Sequence, residues 1–146
     1  MVVDDHLLRD ILTDERTLDL GGLAPEGVAT TGLWLFRLCS SLADPAVAGK
    51  LSQPVAGLPA GMQDRFRAQL TTLPDEIEVI PMRELSWTMA LLQLRHRSQG
   101  RGMSAAMVEA LAAAHRLNAG IAVSMNDVGP NLRDSAVVDG IAFHAL

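Results

Sequence analysis

Residues 2–12 read VVDDHLLRDIL, and this stretch decides the fold. Two apolar residues stand directly before a carboxylate, Asp4, and apolar residues then recur at the spacing of one helix face. This order favours a strand, then a sharp turn, then a short helix. We therefore predict that the chain opens with a short strand that ends in the acidic pair Asp4-Asp5.

Further helices and short apolar runs follow in alternation along the chain. Strands are predicted at residues 78–80, 121–124 and 140–146. Helices are predicted from Thr30 or Thr31 to about Leu42 with Pro45 as its stop, over 62–73, over 82–97 and from a Ser104 cap through Leu117. Short apolar strands that alternate with helices indicate a parallel sheet covered on both faces. We predict one domain over residues 1–146, a three-layer α/β/α sandwich around a mostly parallel sheet of about four to five strands.

Composition narrows the class of protein. The chain has 146 residues, of which 49% are hydrophobic and 20% charged, which suits a packed core in one domain of roughly 100–200 residues. A net charge of −5 argues against a basic nucleic-acid binder. The single cysteine excludes an intramolecular disulfide. No basic segment precedes an apolar stretch at the N-terminus, and no apolar run is long enough to span a bilayer, so we expect a cytoplasmic protein without membrane contact.

Acidic residues follow two of the predicted strands. Asp4-Asp5 follow the first, and Asn126-Asp127 follow the strand at 121–124. In a parallel sheet, ligands bind beyond the carboxyl ends of the strands, and carboxylates there can hold Mg²⁺ or Mn²⁺. Such a metal could activate water for phosphodiester hydrolysis. The alternative is that these acids cap the next helix or stay solvated.

Three stretches stand in a recognisable order. They are residues 3–12, residues 79–82 with the helix after them, and residues 102–127, where GMSAA leads through AAA and NAG to SMND. In this order and spacing the chain resembles PIN domains (PilT N-terminus-like nucleases) over essentially its full length, and its size is close to that of the toxin ribonucleases of bacterial toxin–antitoxin pairs. The resemblance implies a central parallel sheet between helices, and three or four acids that bind Mg²⁺ or Mn²⁺ for RNA cleavage.

The first two acids of the family can be compared with this chain. Asp4 stands where the first family acid is expected, and Asp5 adds an acid beside it. The second family acid lies in the helix after the first long loop, and here residues 31–37 offer Arg37 near that position, which reverses the charge.

The last two acids of the family give a similar result. Ala106 or Met107 stands where the third acid usually opens the late helix. Glu109 lies two or three residues further on, and two helical steps turn a side chain by about 200°. The final acid falls on Asn126 or Asp127, depending on a shift of one residue.

This comparison predicts a degenerate metal site. Losing two carboxylates removes negative charge that a divalent cation needs, and Arg37 would repel the cation further. An ion pair from Arg37 to Asp4 or Asp5 would instead fill the space of the metal. We therefore expect weak or absent Mg or Mn binding, and a non-catalytic or weakly active protein. Its expected partners are a second copy in a homodimer, an antitoxin-like protein or RNA.

Two other interpretations remain open. One is an active Mg- or Mn-dependent single-strand endoribonuclease, the toxin of a toxin–antitoxin pair, which would use Asp4, Asp5 and Asp127 in a shifted set with Glu109 or Glu84. The other is a doubly wound domain of unrelated purpose, in which the likeness to PIN domains is a coincidence.

Basic and imidazole side chains give weaker signals. The family geometry would put Arg101 near the cleft, where it could contact an RNA phosphate. Alternatively, the basic run at residues 95–101 only offsets the dipole of the preceding helix. His6, His115 and His144 show no metal-ligand spacing, so we predict structural or exposed roles for them.

Overall fold

A computed structural model describes residues 1–43, 49 and 51–146 of the chain. Within these residues five strands form one sheet, and every neighbouring pair runs parallel. The strands are β1 (Val2–Val3), β2 (Val28–Thr31), β3 (Ile77–Ile80), β4 (Ile121–Val123) and β5 (Phe143–Ala145), in the spatial order β3-β2-β1-β4-β5. The predicted α/β class and the parallel sheet are confirmed.

Seven α-helices flank the sheet in the described part of the chain. They are α1 (Asp5–Leu12), α2 (Gly32–Ala43), α3 (Gln53–Ala56), α4 (Ala60–Thr71), α5 (Met82–Ser98), α6 (Ala105–Leu117) and α7 (Pro130–Val138). A single 3₁₀ turn, Met125–Asp127, follows β4. None of the described helices is long and apolar enough to cross a membrane.

Two hydrophobic cores lie on opposite faces of the sheet. Successive strand residues point to opposite faces, so Val2 belongs to one core and Val3 to the other. The first core takes the buried side chains of α5, α6 and α7, and the second takes those of α1 and α4. The layers are therefore helices, sheet and helices, as predicted.

The late helix begins and ends as its sequence predicts. Ser104 accepts a hydrogen bond from the backbone N–H of Met107 at 3.3 Å, which caps the first turn of α6. Asn118 ends the helix in the left-handed conformation with φ of 48°, a role that asparagine tolerates better than most residues. Because α6 leads directly into β4, these caps fix where the second acidic turn begins.

Strand β2 and helix α7 were not predicted, and for residues 49–59, which include α3, the sequence left open a connection or a poorly formed helix. Residues 28–31 form β2, and Thr31 both ends this strand and accepts a hydrogen bond from the N–H of Trp34 at 3.4 Å. Residues 130–138 form α7, which begins at Pro130. The predicted stop of α2 at Pro45 lies outside the described residues.

Candidate functional site

The carboxyl ends of β1 and β4 form the centre of the candidate site. Strand β1 pairs with β2 on one side and with β4 on the other, and Val3 lies opposite Ala122. The chain builds outward through β2 and β3, then returns to the other side of β1 with β4. This reversal of strand order creates the crevice in which open α/β sheets bind ligands.

Asp4 joins the two strand ends. Its Oδ1 accepts the N–H of Leu7 at 2.8 Å, which caps α1, and its Oδ2 accepts the N–H of Ser124 at 2.9 Å. Only 1% of the residue is exposed. Burial raises the pKa of Asp4 to about 7, although both backbone hydrogen bonds act in the opposite direction. Both carboxylate oxygens therefore already serve the backbone.

Arg37 lies between two acidic side chains. Its Nε is 3.1 Å from Oδ2 of Asp5, and its terminal nitrogen donates to Oδ2 of Asp127 at 3.0 Å. The Asp5 contact is close but not aligned as a hydrogen bond, so Oδ2 of this fully buried residue accepts none from the residues that the structure describes. One guanidinium thus bridges the acids that follow β1 and β4.

Burial and charge act against each other at Asp5. Burial is the larger effect and raises the pKa of Asp5, while the charge of Arg37 lowers it. The side chain of Arg37 is 45% exposed, whereas that of Asp5 is fully buried. The guanidinium therefore closes the crevice from the solvent side.

His6 completes the cluster. One ring nitrogen of His6 and one carboxylate oxygen each from Asp5 and Asp127 lie within 4.8 Å of one another. Burial lowers the pKa of His6 despite the nearby Asp5, which favours the neutral imidazole that metals bind. His6 was expected to have a structural or exposed role, not a place in the site. The signal that could have identified His6 is its position directly after Asp5, at the start of α1 and beside the end of β1.

Asn126 and Asp127 have different surroundings. Asp127 contacts Arg37, while Asn126 uses its backbone N–H to donate to Ser124 Oγ at 3.3 Å. The side chain of Asn126 makes no hydrogen bond to any residue that the structure describes. Of the two residues that could match the last family acid, Asp127 is the one in the cluster.

Glu109 has a structural partner. Its Oε2 accepts the N–H of Leu33 at 2.8 Å, and the residue is fully buried. Oε1 has no hydrogen bond among the described residues and lies 3.6 Å from the point where a Cβ on Gly32 would stand. Glu109 therefore holds the first turn of α2, the helix that carries Arg37.

Glu84 and Arg101 have partners of their own outside the acidic cluster. Glu84 pairs with Arg116 at 2.5 Å. Arg101 donates from Nε to Nδ1 of His96 at 3.2 Å and also contacts Gln99. Across the described ranges no hydrogen bond or ion pair joins either side chain to Asp5 or Asp127.

The residues around the crevice are a poor fit for Mg²⁺, which demands near-octahedral oxygen coordination. The two oxygens of Asp4 accept backbone N–H groups, and Arg37 pairs with Asp5 and Asp127. The set Asp5, His6 and Asp127 contains one nitrogen ligand, which suits Mn²⁺ or Zn²⁺ better.

No protein-family model matches this chain, and no curated protein matches it in sequence.

Proposed function

We propose that this chain is a PIN-like domain that has lost metal-dependent RNA cleavage and functions by binding. The observation that supports this most directly is the guanidinium of Arg37 between Asp5 and Asp127. A cation bound to these carboxylates would have to displace a positive charge that already pairs with both. The resemblance to PIN domains supplies the fold expectation, and the closed acidic crevice argues against catalysis.

The surrounding acids support the same proposal. Asp4 gives both oxygens to backbone N–H groups, and Glu109 gives one oxygen to Leu33. A nuclease site needs carboxylates that are free to hold a metal. In this crevice the carboxylates hold the ends of strands and helices instead.

Restoring an acid at position 37 tests this proposal. Mn²⁺ binding is measured by titration calorimetry, and cleavage of a fluorescent single-stranded RNA is measured with Mg²⁺ or Mn²⁺. We expect no binding at millimolar Mn²⁺ and no cleavage by the native protein. Arg37→Glu should bind Mn²⁺, because it replaces the bridging cation with a third carboxylate. Arg67→Glu, which makes the same charge change on the exposed face of α4, is the matched control and should not bind.

The opposite result would overturn the proposal. It would consist of Mn²⁺ binding by the native protein together with RNA cleavage that disappears in Asp5→Asn. Circular dichroism of each variant shows whether the fold is retained.

A second function is favoured by the unbonded oxygen of Asp5. This function is an active Mg- or Mn-dependent single-strand endoribonuclease, in which Arg37 leaves the crevice when a metal arrives. Within the described part of the chain Oδ2 of Asp5 accepts no hydrogen bond, and the Arg37 side chain is half exposed, so it could turn toward solvent. Native Mn²⁺ binding that is lost in His6→Ala would favour it.

A further inference from the structure

Helix α5 exposes a line of large apolar side chains. Trp87 is 76% exposed, Leu91 51% and Leu94 71%. Their spacing of four and three residues puts them along one face, while Leu85 and Leu92 are buried on the opposite face. Single exposed apolar residues are ordinary, but a contiguous line of this kind marks an interaction surface.

Both ends of this line carry an arginine. Arg83 lies four residues before Trp87, and Arg97 lies three residues after Leu94. Neither side chain forms an ion pair or hydrogen bond with the residues that the structure describes, whereas the neighbouring Arg95 pairs with Asp139. Arg83, Trp87, Leu91, Leu94 and Arg97 together are called the α5 stripe. It is basic at both ends in a protein whose net charge is −5.

A groove runs beside the α5 stripe. A cavity of about 300 Å³ opens between α5 and α6, next to Leu91. Its walls are Thr88, Leu91, Leu92, Arg95 and His115. An apolar side chain from a partner could enter this groove beside Leu91 and Leu92, whereas Arg95 and His115 in its wall already hold Asp139.

A second copy of the chain is a poor occupant. Two α5 helices packed antiparallel about their centres would put Arg83 of one copy opposite Arg97 of the other, twice. Like charges that meet at both ends therefore argue against self-association through this face.

We propose that the α5 stripe binds an acidic amphipathic helix of another protein. Such a helix would lay its apolar face on Trp87 and Leu94, insert a side chain beside Leu91, and place carboxylates at Arg83 and Arg97. Those carboxylates must stand about 20 Å apart, because 14 residues of α-helix rise about 21 Å. Recognition of this kind, a helix laid into an apolar groove, is a common mode of peptide binding. This helix would be the partner in the binding function proposed above, and the inference rests on that function.

Two synthetic helical peptides test the inference. Both peptides are 18 residues long and carry the same stripe of leucines. Two charged residues 14 positions apart flank the leucines, and they are Glu in one peptide and Lys in the other. Binding is followed by the fluorescence of exposed Trp87 and by the amide NMR shifts of α5. We expect the Glu peptide to bind at least about tenfold more tightly than the Lys peptide, with Trp87→Ala weakening it by a similar factor.

Charge reversal on the protein provides the decisive comparison. The double variant R83E/R97E should prefer the Lys peptide, while the control R65E/R67E, changed on exposed α4, should keep the native preference. Equal affinity for the two peptides, binding of neither, or a native dimer in sedimentation that Trp87→Ala dissociates would each overturn the inference. The measurement uses neither metal nor RNA, so its failure is distinguishable from failure of the cleavage test.

Discussion

The burial of Asp4 makes stability depend on pH in an uncommon direction for an aspartate. Its pKa rises from 3.8 in the unfolded chain to about 7 in the folded protein. Between these values the folded state holds a proton that the unfolded state has released. The contribution of Asp4 to stability is therefore largest below about pH 4, falls as pH rises, and levels off above about pH 7, a loss of about 4 kcal/mol.

Asp4→Asn isolates this effect. The variant places an amide NH₂ against one of the N–H groups of Leu7 and Ser124, so it is less stable than the native protein at pH 4.5. The difference in unfolding free energy between the two proteins should shrink by a few kcal/mol when pH is raised to 7.5. Urea denaturation at both pH values checks this. A difference that stays constant, or a carboxyl carbon of Asp4 that titrates near 4 by NMR, would contradict the prediction.

Replacing Arg37 should change the titration of Asp5. Arg37 is the main charge that lowers the pKa of Asp5 against the effect of burial, so Arg37→Gln should raise this pKa further. The raised pKa makes the variant progressively less stable as pH rises, and we expect a cost of about 1–2 kcal/mol at pH 8, because the guanidinium is half exposed. NMR titration of the Asp5 carboxyl measures the shift. Arg37→Lys keeps the positive charge, so the pKa of Asp5 in this variant should stay close to its value in the native protein.

Sequence reasoning found the acids of the site more easily than their partners. Asp5 and Asp127 follow apolar runs, and parallel strands bring such ends together. Arg37 was expected near the position of the second family acid, on α2. Its expected ion-pair partner was Asp4 or Asp5. The structure pairs it with Asp5 and Asp127, because both oxygens of Asp4 are taken by backbone groups that no side-chain pattern reveals.

Among the elements, α2 depends on a side chain from α6. No acidic residue stands in the first turn of α2, and Glu109 supplies an acceptor there through Leu33. Glu109→Ala should destabilise the protein by about 1–2 kcal/mol through the lost cap. Glu109→Gln keeps an acceptor oxygen for the N–H of Leu33, so it should cost less. Urea denaturation ranks the two variants, and faster hydrogen exchange at the Leu33 amide in Glu109→Ala would locate the effect.

A smaller cost for Glu109→Ala than for Glu109→Gln would contradict this role. It would mean that burying a polar side chain at this position costs more than the cap to Leu33 contributes. In that case the unbonded Oε1 of Glu109, rather than its bond to Leu33, would dominate the energetics.

The elements that sequence reasoning missed share a physical cause. All four residues of β2 are buried, so the strand lacks the alternation of a half-exposed strand, and its two threonines suggest a helix cap. Residues 126–130 contain asparagine, glycine and proline, which are typical of a turn, although proline also suits the first position of a helix, as Pro130 does in α7. Helices α5 and α6 were predicted well because their apolar faces are periodic over many residues.

At the scale of the whole molecule, Asp139 ties three helices together. It ends α7, and its Oδ2 accepts from Arg95 at 2.5 Å, His96 at 3.1 Å and His115 at 3.0 Å. Arg101 donates to Nδ1 of His96, so the proton of a neutral His96 lies on Nε2, where it is donated to Asp139. One carboxylate at the end of α7 thus satisfies groups from α5 and α6 on one face of the sheet.

Burial alone would raise the pKa of Asp139, but hydrogen bonds from His115 and His96, with the charge of Arg95, outweigh it and hold this pKa below 3.8. For an acid with a lowered pKa, the stability it contributes is present above about pH 4 and is lost as pH falls below that value. Asp4 acts in the opposite direction above pH 4. The two carboxylates together predict greatest stability in mildly acidic solution.

Asp139→Asn should therefore be the most damaging single change among those considered. It removes the negative charge shared by Arg95 and two histidines and turns one acceptor into a donor, while the side chain stays 3% exposed. We expect a loss of about 2–3 kcal/mol at pH 7, because hydrogen bonds to a charged acceptor are lost while Arg95, its charged partner, is half exposed. The loss should shrink below pH 4, where the native carboxyl itself takes up a proton. Urea denaturation at pH 7 and pH 3 measures the loss at each pH. Asp134→Asn, at an exposed position of α7, is the control, and its unfolding free energy should change by no more than about 0.5 kcal/mol at pH 7. Equal losses for the two variants at pH 7 would show that the helices on this face hold together without Asp139.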